Sequence, residues 1–185
     1  MRISQLAGEI VQELERLTQL IPDEAAGELA DAIMQAPRVF VSGAGRSGLM
    51  GKAFAMRLVH MGFDAYVAGE TVTRALGKDD VLVLGSGSGG TSSLIAMAQK
   101  AEALGGKLAV ITTNPESELG RAAHIVVTLQ AAAKEEQDGA KQTVQPMASL
   151  FEQGLLIFYD AVILSLMEKK GLSGNTMYSN HANLE

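Results

Sequence analysis

The stretch "VLVLGSGSGGTSSL", residues 81–94, joins four aliphatic residues to a loop of glycines and hydroxyl side chains. A short, continuous aliphatic run is typical of a strand in a parallel sheet covered on both faces. Glycines let the chain turn sharply after the strand, and a helix can begin beyond them. The stretch therefore predicts a strand, a glycine-rich loop and a helix in succession.

The same order recurs along the chain and predicts the fold class. Strand-like apolar runs alternate with helix-like segments, and the other four runs are 38–41, 65–68, 108–112 and 124–129. This alternation predicts an α/β fold, a three-layer doubly wound sandwich of the flavodoxin-like type, with a parallel sheet of about five strands.

Helices are predicted before and after this region of the sequence. Apolar residues recur at helical spacing from Ile3 to Leu17, and a second helix is predicted over 24–35. We interpret 1–185 as one domain, with N-terminal helices in 1–36, the sheet and both glycine loops in 37–130, and a C-terminal helix and tail in 146–185.

The C-terminal helix is predicted from Pro146 to about Lys170, followed by Gly171. It is apolar around most of its circumference, which predicts burial in a subunit interface and hence a homo-oligomer. The polar segment 131–145 before it is interpreted as a surface loop that could close as a lid.

Composition excludes several classes of function. The net charge of −6 and the pI near 5.1 provide no basic surface for nucleic acid or an anionic membrane. The chain has no cysteine, and its three histidines lack metal-ligand spacing, so we expect no metal site. The N-terminus lacks a signal-peptide pattern, and no stretch of about eighteen uncharged apolar residues occurs. We expect a cytoplasmic protein.

Two glycine-rich loops are candidate binding sites. The segment "VSGAGRSGLMG", 41–51, contains the dinucleotide fingerprint G-x-G-x-x-G, with Glu70 as its acidic residue. The second loop, in the segment "GSGSGGTSSL" at 85–94, has no role that a nicotinamide enzyme requires. Unpaired amides at a helix N-terminus, with hydroxyls from Ser86, Ser88 and Thr91, favour a phosphate group there without lysine. The alternative is a tight turn with a helix cap.

The pairing of "GAGRSG" after one strand with "SGSGGT" after another resembles the sugar isomerase (SIS) domain family. This resemblance implies that the second loop holds the phosphate of a phosphosugar and that the first contacts the sugar. The residues so implicated in substrate binding are Gly45, Arg46, Ser47, Ser86, Gly87, Ser88, Gly89 and Thr91. For Arg46, a surface ion pair is the alternative.

Three longer segments resemble the bacterial 6-phospho-3-hexuloisomerases over nearly the whole chain. They are "GAGRSGLMGKAFAMRLVHMGF", "QPMASLFEQGLLIFYDAVILSLMEKKGL" and the ending "HANLE". The resemblance implies interconversion of D-arabino-hex-3-ulose 6-phosphate and fructose 6-phosphate without metal or cofactor. It also implies a homotetramer and a functional link to a hexulose-6-phosphate synthase in the ribulose monophosphate pathway of formaldehyde fixation.

The catalytic candidates are Glu152 and His181. Isomerisation through a cis-enediol(ate) needs a base over C2 and C3, and the resemblance favours Glu152 over a purely structural acid in the first turns of a helix. His181 matches a C-terminal histidine of related isomerases, in some of them supplied by a neighbouring subunit, and we expect it to orient or shuttle protons between O2 and O3. Its alternative is an unstructured tail. We interpret His60 and His124 as structural.

One position departs from the family pattern. Many SIS isomerases carry a charged residue, often Glu, before the threonine of the second loop, where this chain has Gly90. A catalytic role for that position is therefore not carried over. Three other functions remain open: a non-catalytic phosphosugar-sensing module, an isomerase of another sugar phosphate, and a dinucleotide oxidoreductase.

Overall fold

Five parallel strands form one sheet in a computed structural model that describes residues 2–131, 143–174, 177, 180 and 181. The strands are β1 (Val39–Gly43), β2 (Ala65–Val67), β3 (Val81–Gly85), β4 (Lys107–Thr112) and β5 (Ile125–Thr128). Their order across the sheet is β2-β1-β3-β4-β5. The predicted fold class and all five predicted strands are confirmed, with ends that differ by one or two residues.

Helices cover both faces of the sheet, as predicted for a three-layer sandwich. Alternate strand residues point to opposite faces, so Val39 and Val41 pack in one apolar cluster and Phe40 in the other. The helices are α1 (Ile3–Thr18), α2 (Asp23–Gln35), α3 (Gly45–His60), α4 (Ser92–Ala103), α5 (Glu118–Ala122) and α6 (Ser149–Lys170). The first cluster contains residues of α1, α2, α3 and α6, and the second contains residues of α4 and α5.

The long helix α6 begins three residues later than predicted. Met147 has a φ of 60°, in the left-handed region, and Ala148 caps the helix with a non-helical ψ of 23°, so helical geometry starts at Ser149. Pro146 therefore precedes the helix instead of opening it. The predicted end is confirmed, because Gly171 takes the left-handed conformation that terminates many helices.

In the described part of the chain, one helix, α6, is long enough and apolar enough to cross a membrane, judged by length and composition alone. It packs against α1, α2 and α3, and Leu155, Tyr159 and Leu166 are fully buried. These contacts make it a core helix of the sandwich.

A buried carboxylate in α1 holds the chain just before α6. Glu13 accepts hydrogen bonds from Thr143 Oγ1 at 2.6 Å, the Val144 amide at 2.8 Å and Gln145 Nε2 at 2.9 Å. Most of the predicted surface loop 131–145, and with it the predicted lid, lies outside the described residues. The contacts of Glu13 thus hold residues 143–145, the last part of that predicted segment, against α1.

We predict that Glu13 makes folding stability depend on pH. Burial raises the pKa of its carboxyl, but hydrogen bonds from Thr143, Gln145 and Val144 outweigh burial, and the pKa lies below its ordinary value of 4.5. The stabilisation is therefore complete above about pH 4.5 and is lost as the pH falls through the lower folded-state pKa.

Glu13→Gln should lower the free energy of unfolding by about 1–3 kcal/mol at pH 7, and the difference from wild type should shrink below about pH 4. Urea unfolding at several pH values measures this. Glu15→Gln, at an exposed position of the same helix, is the matched control. A difference between Glu13→Gln and wild type that does not change with pH would contradict the assignment.

Candidate active site

The two glycine loops open from neighbouring strands at the carboxyl edge of the sheet. β1 pairs with β3, yet α3 after β1 lies on one face and α4 after β3 lies on the other. Such a switch point leaves a crevice between the loops, where open α/β sheets bind ligands. A cavity of about 190 Å³ lies there, lined by Ala44, Ser47, Gly85, Ser86, Gly87, Ser88, Thr91, Thr113, Ala148 and Phe151.

The first loop brings the start of α3 against the end of β1. A Cβ on Gly48 would lie 2.5 Å from the Gly43 carbonyl oxygen, so this close approach requires glycine. Gly45 begins α3 with a φ of 57°. The turn places the buried Ser47 side chain at the cavity, whereas Gly45 and Arg46 lie beside it.

The second loop presents unpaired amides together with three hydroxyl groups, which make hydrogen bonds within the loop. Ser86 continues the sheet by donating its amide to Ile111 O, and its Oγ lies 3.4 Å from Thr91 Oγ1. Among the described residues, no oxygen accepts a hydrogen bond from five amides of this loop and of the first turn of α4, those of Gly87, Ser88, Thr91, Ser92 and Ser93. These donors and the positive end of α4 favour an anion.

The first turns of α6 close the cavity from the side. Ala148 and Phe151 line it, and a Cβ on Gly87 would lie 3.2 Å from the Phe151 ring. Below them, Leu155 and Tyr159 pack under Gly85. The buried Tyr159 hydroxyl has no hydrogen-bond partner among the described residues, and burial raises its pKa, so it stays protonated.

Glu152 and Arg46 form an ion pair beside the cavity. Arg46 Nη1 lies 2.9 Å from Glu152 Oε2 and also donates a hydrogen bond to Ser149 Oγ at 2.9 Å. Glu152 Oε2 is buried and accepts no hydrogen bond of good geometry from the described residues. Two predicted site residues, one from each of α3 and α6, are thus in contact beside the cavity.

The structure does not bring His181 to this cavity within one chain. Its ring lies 5.1 Å from the His60 ring, and Asn180 Nδ2 donates to the His60 carbonyl oxygen at 3.0 Å. His60 ends α3, roughly 20 Å along the helix from the first loop at a rise of about 1.5 Å per residue. His181 and His60 line a separate cavity of about 430 Å³.

The two histidines interpreted as structural are held within the fold. His60 is buried, and burial together with the positive charge of Arg57 lowers the pKa of its imidazole. Nδ1 of His124 accepts a hydrogen bond from the Leu108 amide.

Five residues that line the cavity were not among the predicted site residues, namely Ala44, Gly85, Thr113, Ala148 and Phe151. Ala44 and Gly85 are direct neighbours of predicted residues. Thr113 follows the predicted strand 108–112, and its place at the carboxyl end of that strand was a usable signal. Ala148 and Phe151 carry no polar group, and only the contact of α6 with the second loop reveals them. Gly89 does not line the cavity but shapes the loop, with a φ of 63°.

The SIS domain family model matches residues 32–154 of the chain. A 3-hexulose-6-phosphate isomerase of Bacillus subtilis is 50% identical over 185 residues, covering 100% of both proteins. The match spans both glycine loops, α6 and the C-terminal tail.

Two solved structures have the same fold over nearly the whole chain. The crystal structure of a hypothetical protein has a TM-score of 0.90 at 37% identity, covering 98% of this chain and 97% of its own. A second, from Methanococcus jannaschii, for which a 3-hexulose-6-phosphate isomerase function was inferred, has a TM-score of 0.80 at 34% identity, covering 97% and 96%.

Adjacent glycines in the second loop should respond differently to substitution. A Cβ on Gly89 would lie 1.9 Å from Ser117 Oγ and force a left-handed alanine, whereas a Cβ on Gly90 meets nothing within 4 Å. Gly89→Ala should lower the free energy of unfolding by about 1–3 kcal/mol and weaken binding of inorganic phosphate. Gly90→Ala should stay within about 0.5 kcal/mol of wild type.

Urea unfolding and phosphate titration calorimetry measure both variants. Equal behaviour of the two variants would contradict the described loop geometry.

Proposed function

The chain belongs to the SIS domain family, and we propose that it is an isomerase that interconverts D-arabino-hex-3-ulose 6-phosphate and fructose 6-phosphate. The main observation is that two glycine loops and the first turns of α6 converge on one cavity, with unpaired amides on one side and the Glu152–Arg46 pair on the other. This arrangement suits a phosphorylated substrate whose proton must move between two carbons.

The second loop would hold the phosphate. Each hydrogen bond between an uncharged donor and a charged phosphate contributes on the order of 1.5–3 kcal/mol, and the loop offers amides together with the hydroxyls of Ser86, Ser88 and Thr91. Gly87 and Gly89 leave the backbone open to the anion. Gly45, Arg46 and Ser47 of the first loop would contact the sugar.

Glu152 would act as the base. It removes the proton from C2 of the 3-ketose, the electrons form the enediolate across C2 and C3, and the same proton is returned to C3 while O2 becomes the carbonyl oxygen. The position of Glu152 supports this role, because it follows the cavity-lining Phe151 in the first turns of α6 and contacts Arg46 of the first loop. The guanidinium of Arg46 would stabilise the negative charge that develops on the enediolate oxygen.

His181 would assist by moving a proton between O2 and O3. Its position beside His60 is far from the first loop of its own chain, which supports a role in the site of a neighbouring subunit. Apolar residues on the outward faces of α3 and α6 support association: Leu49, Met56, Val59, Ile157 and Leu164 are between 36% and 65% exposed. We therefore propose a homo-oligomer, a tetramer, with shared active sites.

The proposal extends to the setting of the reaction. A hexulose-6-phosphate synthase would supply the 3-ketose, which places the enzyme in the ribulose monophosphate pathway of formaldehyde fixation. A cytoplasmic location suits a chain without cysteine.

The test is conversion of enzymatically generated hex-3-ulose 6-phosphate to fructose 6-phosphate in the presence of EDTA. Wild type should turn over rapidly, and Glu152→Gln should lower kcat by about 10²–10⁴-fold because it removes the base. Glu168→Gln, at an exposed position of the same helix, is the control and should match wild type.

Each of the other possible outcomes would reject a different part of the proposal. Turnover that persists in Glu152→Gln rejects the base but keeps the reaction. Binding of fructose 6-phosphate without turnover in wild type favours the sensing module or another sugar phosphate. Saturable NAD(P) binding would support a dinucleotide oxidoreductase instead.

The shared site is tested by mixing two inactive variants. Glu152→Gln and His181→Ala should each have little activity alone, and co-expression should restore a measurable fraction of wild-type kcat, because some sites combine the intact Glu152 of one chain with the intact His181 of another. Undiminished turnover of His181→Ala, or no restoration in mixed oligomers, would reject the trans arrangement.

A further inference from the structure

The carbonyl oxygen of Gly87, in the second loop, accepts three hydrogen bonds from the end of β4. The donors are the Thr113 amide at 3.0 Å, Thr113 Oγ1 at 2.8 Å and Thr112 Oγ1 at 3.0 Å. Thr112 is fully buried, and its hydroxyl also accepts a hydrogen bond from the Asn114 amide at 3.1 Å. A carbonyl oxygen has two lone pairs, so these donors saturate it.

This contact determines the direction of the next amide. In a trans peptide the C=O of one residue and the N–H of the next point in opposite directions, and the described chain has no cis peptide bond. Because the Gly87 carbonyl points toward β4, the Ser88 N–H points the other way. No described residue accepts a hydrogen bond from it.

The hydrogen bonds to this carbonyl are needed because residue 87 is a glycine. Residue 87 has no Cβ, so its backbone can adopt many conformations, and the peptide that follows it could rotate. A rotated peptide would turn the negative end of the Gly87 carbonyl dipole toward a bound anion and remove the Ser88 donor. The carbonyl of Gly89, two residues later, is also held, because its oxygen accepts a hydrogen bond from the Leu119 amide at 3.1 Å.

We propose that Thr112 and Thr113 are positioning residues that set the affinity of the second loop for phosphate, by holding the Gly87–Ser88 peptide with its amide toward the ligand. The inference rests on the proposed function, because it assumes that this loop holds the phosphate of the substrate. Neither hydroxyl needs to touch the sugar in this role.

The test compares the near-isosteric Thr112→Val, Thr113→Val and the double variant with the corresponding Thr→Ser variants. Calorimetric titration with inorganic phosphate and with fructose 6-phosphate should show about tenfold weaker binding of both ligands in the double Val variant. The Ser variants keep the hydroxyl and should stay within about twofold of wild type. Urea unfolding shows which variants remain folded, and Thr113→Val suffices if the buried Thr112→Val does not fold.

Two further measurements separate positioning from general destabilisation. In turnover, KM should rise while kcat changes by less than about threefold, since the loss is confined to uniform binding. In amide NMR spectra, the Ser88 resonance should shift on addition of phosphate in wild type and should lose that shift in the double Val variant.

The outcomes are distinguishable. Wild type that binds neither ligand overturns the proposed function. Wild type that binds both, with Val variants that bind equally well, overturns the positioning role alone. Weakened binding of fructose 6-phosphate with unchanged binding of inorganic phosphate would instead make Thr113 a sugar contact and would also overturn the inference.

Discussion

The pairing of β1 with β3 is the constraint on which the candidate site depends. The two strands lie side by side, but their helices leave to opposite faces of the sheet, so the loops between them diverge and leave a crevice. Glycines permit the close approaches that shape the loops and helices around it. A Cβ on Gly48 would meet Gly43, and one on Gly85 would lie 2.7 Å from Leu155.

Helix α6 connects the site to the rest of the molecule. The face that carries Leu155, Phe158 and Tyr159 is buried, while its first turns line the cavity and carry Glu152. Its position is fixed from α1, where Leu17 fills the space beside Gly154 and Glu13 holds residues 143–145. A change in the packing of α1 would therefore reach the carboxylate through α6.

The sequence predicted the fold, and it also placed the candidate site at the glycine loops, because both depend on local patterns. Aliphatic runs followed by glycine loops determine strand order along the chain, and the carboxyl edge of a parallel sheet then brings Ser47 together with Ser86, Ser88 and Thr91. The late start of α6 was not predicted, because the left-handed Met147 breaks a pattern in which Pro146 would open the helix.

Contacts between segments that are far apart in the sequence could not be predicted from local sequence patterns either. The hydrogen bond from Thr113 Oγ1 to Gly87 O joins residues 26 apart, and Asn180 reaches His60 across 120 residues. No periodicity reports such pairs. The position of His181 at the far end of α3 depends on that second contact, and this explains why a tail residue could be named from the family resemblance but not placed.

The central claim is that the amides and hydroxyls of the second loop, at the crevice between β1 and β3, bind the phosphate group. A crystal structure of the protein with fructose 6-phosphate tests it most directly. The account predicts phosphate oxygens within hydrogen-bond distance of the Ser88 and Thr91 amides, with the sugar carbons extending toward Glu152. Phosphate bound elsewhere, for example in the cavity beside His60 and Arg57, with the second loop empty, would contradict it.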